Sequence, residues 1–467
     1  MLKLITPLLA FVAAPALAQP LTMDERARID RLVTTTLAES GVPSASVAIV
    51  RDGKIVLAKA WGKANETLPA SPALPYQIAS NSKQFTAMAL LLLEDEGKLK
   101  LDDKVAKYLD ISGGDRITLR QLLDHTSGIQ DFWPQDYSFE AMSHPTKPSG
   151  IVDRWARKPL DFSPGDQWQY SNTAYVVAGM IAEKVSGEPL LAYLNRKIFK
   201  PLDMHPLDLD ETNTPAFPAG YGRYALGQLR LVDPPASGWL YAAGELSMTA
   251  EDLAKWDIAR MNRSLIPADN WAAQETPTKL NDGTDTSYGL GVGIRSVNGR
   301  KVIRHTGEAV GFLSINDVFP KERIAVVVLT NSWNTGSTYT RLAREIENIV
   351  LPPAPAATGA DSATTAAQAT RARKVFDQLR SGTLDRSLLT QNANFYFTPQ
   401  AVADFRSSLG PLGEPVAFEP SGRPTLRGGF VIQGYTVKYA SRSLDLSTFY
   451  EPGADGRVEQ FLVSPAE

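Results

Sequence analysis

Strand patterns lie at both ends of the first 350 residues, with a long helical stretch between them. Residues 44–62, SASVAIVRDGKIVLAKAWG, are two β-rich runs joined around Asp52-Gly53, which is a strong hairpin signal. Residues 288–331 contain four more such runs, whereas residues from about 100 to 260 are mainly helical and rich in loops. The pattern therefore predicts an α/β (α+β) fold. One antiparallel sheet, built from both ends and flanked by helices, carries a mainly helical insertion.

The N-terminus has the pattern of a secretory signal peptide. Lys3 provides a short positive region, and residues 4–14 form an apolar core that is too short to span a bilayer. Residues 16–18, Ala-Leu-Ala, are a small-x-small cleavage site, so the mature chain is expected to start at Gln19. We therefore expect an exported protein, periplasmic or secreted, with no transmembrane anchor after cleavage. An uncleaved anchor or a buried helix is the alternative interpretation.

The 467 residues are more than one core usually holds, and composition indicates where the chain divides. A stretch rich in proline, alanine and threonine, PPAPAATGADSATTAAQAT, is typical of a linker. After it, RARKVFDQLR predicts a helix and GGFVIQGYTVKYA, LDLSTFYE and GRVEQFLVS predict strands of a small α+β accessory domain. That domain loosely resembles nuclear-transport-factor-2-like domains, and we find no catalytic constellation in it. The predicted segments are 1–18 (signal peptide), 19–351 (main domain), 352–370 (linker) and 371–467 (accessory domain).

Composition also excludes several classes of function. The net charge is −3, from 48 basic and 51 acidic residues, whereas a nucleic-acid-binding protein should carry a strong basic excess. The absence of cysteine excludes disulfides, a cysteine nucleophile and thiolate metal sites. His144 and His205 lack the spacing of metal ligands, and Gly289–Gly293 is not followed by the helix of a dinucleotide site. We therefore predict no metal, no cofactor and no nucleic-acid partner.

A lysine stands in the first turn of a very apolar helix pattern, IASNSKQFTAMALLLLEDEGKL at residues 78–99. Ser80 or Asn81 is expected to cap this helix and Gly97 to end it. A cation near a helix N-terminus faces the positive end of the helix dipole, so local helix physics does not explain Lys83. Another interaction should account for its position.

Ser80 lies three residues before Lys83, on the same face of the helix, and Ser-x-x-Lys occurs once in the chain. A serine needs a base within hydrogen-bond reach to become a nucleophile. A lysine can be that base where a helix N-terminus and an apolar pocket lower its pKa. The alternative interpretation is a capping serine beside an unrelated surface lysine.

Tyr170-Ser171-Asn172 is the second candidate motif, and it stands between a Pro-Gly turn and the start of a helix. A tyrosine there can transfer a proton, and an amide can hold a substrate carbonyl. Tyr193-Leu-Asn195 also fits Tyr-x-Asn, but it falls within a helical stretch where the pair would not face one point. A core aromatic residue is the alternative for Tyr170.

His305-Thr306-Gly307 is the third candidate motif, at the end of the strand run KVIRHTG. A strand edge can pair with an extended substrate, and glycine permits a close approach. The alternative for a single histidine is a structural residue with satisfied hydrogen bonds.

In this order, the three motifs resemble those of the serine β-lactamase and penicillin-binding-protein superfamily over about residues 25–350. The closer likeness is to class C β-lactamases, D-alanyl-D-alanine carboxypeptidases of the serine peptidase S12 group, and related esterases. The flanking stretches LDDKVAKYL, ITLRQLLDHTSGI, FSPGDQWQYSNTAY, AAGELSMTAEDLAKW and HTGEAVGF support it. The resemblance implies a β-lactamase/transpeptidase-like fold for residues 19–351.

The resemblance also implies a role for each motif residue. Ser80 would be the nucleophile, and Lys83 and Tyr170 the proton-transfer pair. Which of these two is the acylation base is left open. The implied substrate-binding residues are Asn172, His305, Thr306, Gly307 and Glu308. Asn172 would hold the substrate amide, and residues 305–307 would lie on the strand beside the substrate. The backbone N–H of Glu308 would form an oxyanion hole together with that of Ser80.

Two positions depart from the family pattern. His305 stands where class C β-lactamases have lysine, and histidine is more typical of the carboxypeptidase and aminopeptidase branch, which argues against efficient β-lactam turnover. Glu308 stands where a smaller residue is common, and its charge could repel a substrate carboxylate. Arg295 and Arg304 are close in sequence and could compensate, or they could be solvated strand ends.

The sequence thus predicts an exported serine hydrolase that acts through a Ser80 acyl-enzyme on small amides or esters, with D-amino-acid peptides favoured. Its partners would be small-molecule or peptide substrates, including peptidoglycan fragments or β-lactams. An esterase of the same family, and a non-hydrolytic penicillin-binding or wall-sensing module, are the alternatives.

Overall fold

A computed structural model describes most of the chain. The described residues are 19–133, 138, 140–222, 229–297, 299–333, 338–351, 362–390, 393–394, 397, 399–427, 430–451, 453 and 455–465. The predicted signal peptide (1–18) and residues 352–361 of the predicted linker lie outside them.

The main domain mixes helices and strands along residues 19–351. Its α-helices are α1 Met23–Ser40, α2 Lys83–Asp95, α3 Leu119–Leu123, α4 Pro148–Ile151, α5 Asn172–Ser186, α6 Leu190–Leu194, α7 Leu209–Thr212, α8 Tyr241–Gly244, α9 Ala250–Asn262, α10 Ala268–Gln274 and α11 Thr338–Val350. Its strands are β1 Ser44–Arg51, β2 Lys54–Gly62, β3 Tyr76–Gln77, β4 Leu207–Asp208, β5 Tyr221–Gly222, β6 Arg230–Leu231, β7 Leu246–Met248, β8 Gly293–Val297, β9 Arg300–Ala309, β10 Phe312–Phe319 and β11 Ile324–Thr330.

The central feature is a six-stranded antiparallel sheet with the order β2-β1-β11-β10-β9-β8. The N-terminal strand β1 pairs with β11, so that Val47 lies opposite Val328. The predicted sheet built from both ends is therefore confirmed. The helices α3, α5 and α9 lie in the predicted helical insertion between the two sets of strands.

The first hairpin follows from its turn residues. Asp52 and Gly53 have φ values of +51° and +75°, the left-handed conformation at both central positions that two-residue hairpins favour. Gly299, between β8 and β9, has a φ of +73°. Asn298, the other residue predicted for that turn, lies outside the described residues.

Both faces of the sheet are covered, which explains why every residue of β11 is buried. Val326 and Val328 pack in the core that α1 and α11 form on one face. Val327 and Leu329 point to the other face, into the larger core that contains residues of α2, α5 and α9. The predicted active-site helix, α2, is therefore fixed between the sheet and the helical insertion.

The C-terminal domain is a small α+β unit with its own core. Its four-stranded antiparallel sheet has the order β12-β13-β14-β15, and Phe376, Tyr435 and Leu446 are buried in its core. Its elements are α12 Ser362–Ser381, α13 Pro399–Leu409, β12 Ala417–Arg427, β13 Phe430–Lys438, β14 Ser443–Tyr450 and β15 Val458–Pro465.

The helix that follows the predicted linker begins earlier than the sequence pattern indicates. Helix α12 begins at Ser362, so residues 362–370 are helical. Alanine has the highest helix propensity, and the helix is continued by the apolar pattern after Arg371. Among the described residues, no helix has the length and apolarity needed to cross a membrane.

Leu329→Ala should destabilise the main domain strongly. The side chain is fully buried in the central strand β11, and a buried Leu→Ala change costs about 2–5 kcal/mol in the free energy of unfolding. Urea unfolding followed by tryptophan fluorescence measures this, because all eight tryptophans, the first Trp61 and the last Trp333, lie in the main domain. The control is Leu231→Ala on the edge strand β6, where the leucine is 57% exposed, and it should cost under about 0.5 kcal/mol. Equal losses in the two variants would contradict this description of the core.

Candidate active site

Lys83 is held in the protein interior by three hydrogen-bond acceptors. A 3₁₀ turn, Ala79–Ser82, leads directly into α2. From there the Lys83 Nζ donates to Ser80 Oγ at 3.0 Å, to Asn172 Oδ1 at 2.8 Å and to the backbone oxygen of Ala243 at 2.7 Å. A buried ammonium is tolerated only where such partners replace water. These contacts are the interaction that the sequence pattern required for Lys83.

The expected helix cap is wrong. Neither Ser80 nor Asn81 caps α2, whose N-cap is Ser82 with no side-chain capping bond. Ser80 Oγ instead accepts from Lys83, and Asn81 Nδ2 donates to Ser314 Oγ at 2.8 Å. Both side chains are thus engaged elsewhere, Ser80 with Lys83 three residues later and Asn81 with the distant strand β10. Gly97 follows the end of the helix with a φ of +68°, as predicted.

The surroundings of Lys83 favour its neutral form. Burial lowers the pKa of the ammonium from its usual value to about 7, and the carboxylate of Asp131 opposes that change. A neutral amine keeps two N–H donors, enough for Asn172 and Ala243, and its lone pair can then face the Ser80 hydroxyl. The geometry therefore allows Lys83 to accept the proton of Ser80.

Tyr170 lies beside the same lysine. The centre of its ring is 4.9 Å from Lys83 Nζ. Burial raises the pKa of its phenol well above the usual value, while a hydrogen bond with Ser80 acts in the opposite direction. The phenol therefore stays protonated at neutral pH and is suited to donating or relaying a proton.

Asn172 is the first residue of α5, and Asp131 fixes its orientation. The Ser171 hydroxyl caps this helix by accepting from the backbone N–H of Ala174. Asp131 accepts from the backbone N–H of Asn172 at 3.0 Å and from its Nδ2 at 3.2 Å. The amide oxygen is consequently left facing Lys83.

Sequence reasoning missed Asp131. Burial raises the pKa of its carboxyl, while hydrogen bonds from Trp133 and Asn172 and the charge of Lys83 lower it. Its partner Asn172 is 41 positions away, so no short-range spacing indicates the contact. The available signal was one acidic residue in the otherwise uncharged stretch GIQDFWP.

His125 holds the Tyr-x-Asn segment in place. It follows the short helix α3 and has a φ of +63°, which turns the chain out of the helix. Its Nδ1 accepts from the backbone N–H of Ser171 at 3.1 Å, and its ring centre is 4.3 Å from that of Tyr170. Burial lowers the pKa of the imidazole well below its usual value, so the ring is neutral. This positioning role was also missed.

Strand β9 is pressed against the Ser80 turn at Gly307. A Cβ atom at this position would lie 2.0 Å from the Ile78 oxygen and 2.2 Å from Ser314 Oγ, so only glycine fits. Ser314 Oγ itself donates to the Ile78 oxygen at 2.8 Å. The predicted close approach at Gly307 is therefore an approach to the protein's own backbone.

His305 is neutral, and both of its ring nitrogens are engaged. Nδ1 lies 2.6 Å from the backbone oxygen of Thr306, to which it can only donate. Nε2, 2.8 Å from the Tyr288 hydroxyl, is then the acceptor of that bond. Burial, followed by the charge of Lys83, lowers the pKa of His305 to about 3.

A cavity of about 500 Å³ opens beside Ser80. Phe132, Trp133 and Leu240 give it apolar walls. Lys83 bonds to three of the residues that line it, Ser80, Asn172 and Ala243. Six of the predicted site residues line it: Ser80, Tyr170, Asn172, His305, Thr306 and Glu308. The arrangement can hold a small amide or ester with its carbonyl carbon beside Ser80.

Comparison with known proteins places this geometry in a family. Residues 29–351 match the family model described as Beta-lactamase. "Protein flp" of Staphylococcus aureus (strain N315) is 30% identical over 326 residues, which are 67% of this chain and 64% of that protein. The chain thus spans less than two thirds of the length of this relative.

Solved structures share the fold. The octameric penicillin-binding protein homologue from Pyrococcus abyssi superposes with a TM-score of 0.61 over 94% of this chain and 95% of that one. At 22% identity this likeness shows the fold alone. A D-stereospecific amidohydrolase from Streptomyces sp. has a TM-score of 0.58 at 26% identity, over 68% of this chain and 98% of that one.

These matches confirm the resemblance carried by the three motifs. The family model covers more than half of the chain, and the fold around the cavity is that of penicillin-binding protein homologues and amidohydrolases. The chain therefore belongs to the beta-lactamase family.

Proposed function

We propose that the protein is an exported serine hydrolase that forms an acyl-enzyme on Ser80. Its substrates would be small amides or esters, with D-amino-acid peptides and amides favoured. The observation that carries the proposal is the 3.0 Å contact between Lys83 Nζ and Ser80 Oγ in a buried site that lowers the lysine pKa. The D-stereospecific amidohydrolase among the structural neighbours supports the substrate class. Export rests on the signal-peptide pattern of residues 1–18.

The proposed reaction begins when neutral Lys83 removes the proton of Ser80 as Oγ attacks the substrate carbonyl. The backbone N–H groups of Ser80 and Glu308 would stabilise the resulting oxyanion. The proton then passes, through Lys83 or Tyr170, to the departing nitrogen or oxygen. The scissile bond breaks and leaves an ester on Ser80. Water attacks this ester and gives a proton to Lys83. The bond between the acyl carbon and Oγ then breaks, and Lys83 returns the proton to Oγ, which releases the acid and restores Ser80.

Lys83 is favoured over Tyr170 as the acylation base. Its lowered pKa supplies a neutral amine near pH 7, whereas burial makes the Tyr170 phenol harder to ionise. Tyr170 remains suited to carrying the proton to the leaving group. A non-hydrolytic penicillin-binding module would use the same acylation step and differ in the fate of the acyl-enzyme.

Ser80→Ala should remove covalent catalysis and leave the fold intact. We expect the wild type to gain the mass of penicillin, or to hydrolyse a D-aminoacyl anilide. The variant should form no penicillin adduct, and its turnover of the anilide should be at least about 1,000-fold lower. Intact-mass time courses and anilide release measure these outcomes. A lasting penicillin adduct would indicate a penicillin-binding enzyme, and an adduct that clears as the drug is consumed would indicate a β-lactamase.

The control for this experiment is Ser149→Ala, an exposed serine of α4, which should behave as the wild type. A penicillin adduct on Ser80→Ala, or undiminished anilide turnover by it, would contradict the proposed nucleophile.

Asp131→Asn should lower kcat/KM and shift its pH dependence. The carboxylate accepts from the backbone N–H and from the side-chain Nδ2 of Asn172. Misplacing that side-chain amide is expected to lower kcat/KM by about 10- to 100-fold. Asp131 also raises the Lys83 pKa, so its loss should lower that pKa. Because activity needs neutral Lys83, kcat/KM falls below that pKa, and the acid limb should move to lower pH. Profiles of kcat/KM for an uncharged ester test this.

The matched control is Asp115→Asn, an exposed aspartate, which should leave the profile unchanged. An acid limb that stays in place in Asp131→Asn would mean that Asp131 acts on structure alone.

A further inference from the structure

The strand beside the cavity presents a carboxylate to the substrate. Thr306 and Glu308 stand two residues apart on β9, so their side chains share one face, and both line the cavity. The indole N–H of Trp333 donates to Glu308 Oε1 at 3.0 Å and orients the carboxylate. Its charge is felt at the phenols of Tyr170 and Tyr339, whose pKa values it helps to raise. Glu308 therefore acts on the chemistry of this site through its side chain as well as through its backbone.

His305 offers no cation to balance that carboxylate. Both ring nitrogens are engaged, with Thr306 and with Tyr288, in an arrangement that requires one proton on the ring. A second proton would have to displace the bond from the Tyr288 hydroxyl. A substrate carboxylate at this strand would thus meet a neutral ring.

The remaining charges near the cavity do not favour an anion either. Among the described residues that line it, the charged side chains are Asp131 and Glu308, with no lysine or arginine. When Lys83 is protonated, its charge is balanced by the Asp131 carboxylate, and when it is neutral it contributes no positive charge. Like charges brought together in a partly desolvated site are strongly disfavoured.

The two arginines that could have compensated are directed elsewhere. Arg304 is paired with the buried Asp317 and is also close to Glu347. Arg295 donates to the backbone oxygen of Ser287 at 2.9 Å. The charge of Arg295 does help to lower the pKa of His305. An experiment must therefore test whether Arg295 attracts a substrate carboxylate to this site.

We infer that Glu308 makes the cavity select against substrates with a carboxylate at the strand β9 side and in favour of neutral or ammonium-bearing ones. The substrate class is then small amides and esters whose group at this strand is a carboxamide, an ester or an amine. A peptide with a free C-terminal carboxylate would be a poor substrate. This inference rests on the proposed function, whose reaction it narrows.

Three matched substrates test the inference. They share one acyl-D-alanyl donor and differ only in the leaving group: D-alanine, D-alaninamide, and the analogue in which an aminomethyl group replaces the carboxylate. We expect the wild type to hydrolyse the carboxylate substrate with the lowest kcat/KM. In Glu308→Gln, the ratio of carboxylate to carboxamide kcat/KM should rise by about three- to tenfold, and the advantage of the aminomethyl substrate should fall by a similar factor.

Two control variants and the pattern of ratios make the test decisive. Glu39→Gln, on the exposed surface of α1, should leave all three ratios unchanged. Arg295→Gln should also leave them unchanged; a selective loss of the carboxylate substrate in this variant would assign the site to carboxylates and overturn the inference. Equal ratios in the wild type and Glu308→Gln would overturn the inference while leaving the proposed function standing. Turnover of none of the three substrates by the wild type would instead overturn the proposed function, and this inference with it.

Discussion

The burial of the Lys83 amine is the constraint on which the site depends. Its three acceptors come from three parts of the chain: the turn before α2, the start of α5, and α8. An amine removed from water must find all of its partners in the protein, so these elements have to meet at one point. The same burial lowers the pKa of Lys83 and makes the amine a base for the adjacent Ser80. The three contacts that stabilise the buried Lys83 are therefore the same contacts that the proposed chemistry uses.

A second set of contacts locks the substrate strand to the nucleophile. Ser314 on β10 donates to the Ile78 oxygen and accepts from Asn81, which brackets Ser80 on both sides. Gly307 lets β9 come close enough for this, since any side chain there would collide with Ile78. The Ser80 turn and the strand that would hold the substrate are thus held in direct contact, although more than 220 residues separate Ser80 from Gly307 in sequence. The central sheet, in which the N-terminal strand β1 pairs with β11, keeps β9 and β10 in this position.

Much of the fold could be predicted because its signals are local. The hairpin at Asp52-Gly53 is determined by two residues that tolerate positive φ, and the strand and helix periods place the sheet and the insertion. Contacts between distant residues could not be predicted. Asp131 and His125 act on the Tyr-x-Asn segment from more than 40 positions away. The predicted cap of α2 was wrong because the two candidate side chains form other hydrogen bonds, Ser80 with Lys83 and Asn81 with Ser314.

The most direct test of this account is the titration of Lys83 itself, measured by NMR of the full chain with labelled lysine side chains. The resonance is assigned by its loss in Lys83→Met. The account predicts an amine that titrates near pH 7, the value set by burial against the opposing charge of Asp131. A Lys83 pKa close to the ordinary lysine value of about 10.4 would contradict it, because the amine would then be protonated whenever Ser80 needs a base.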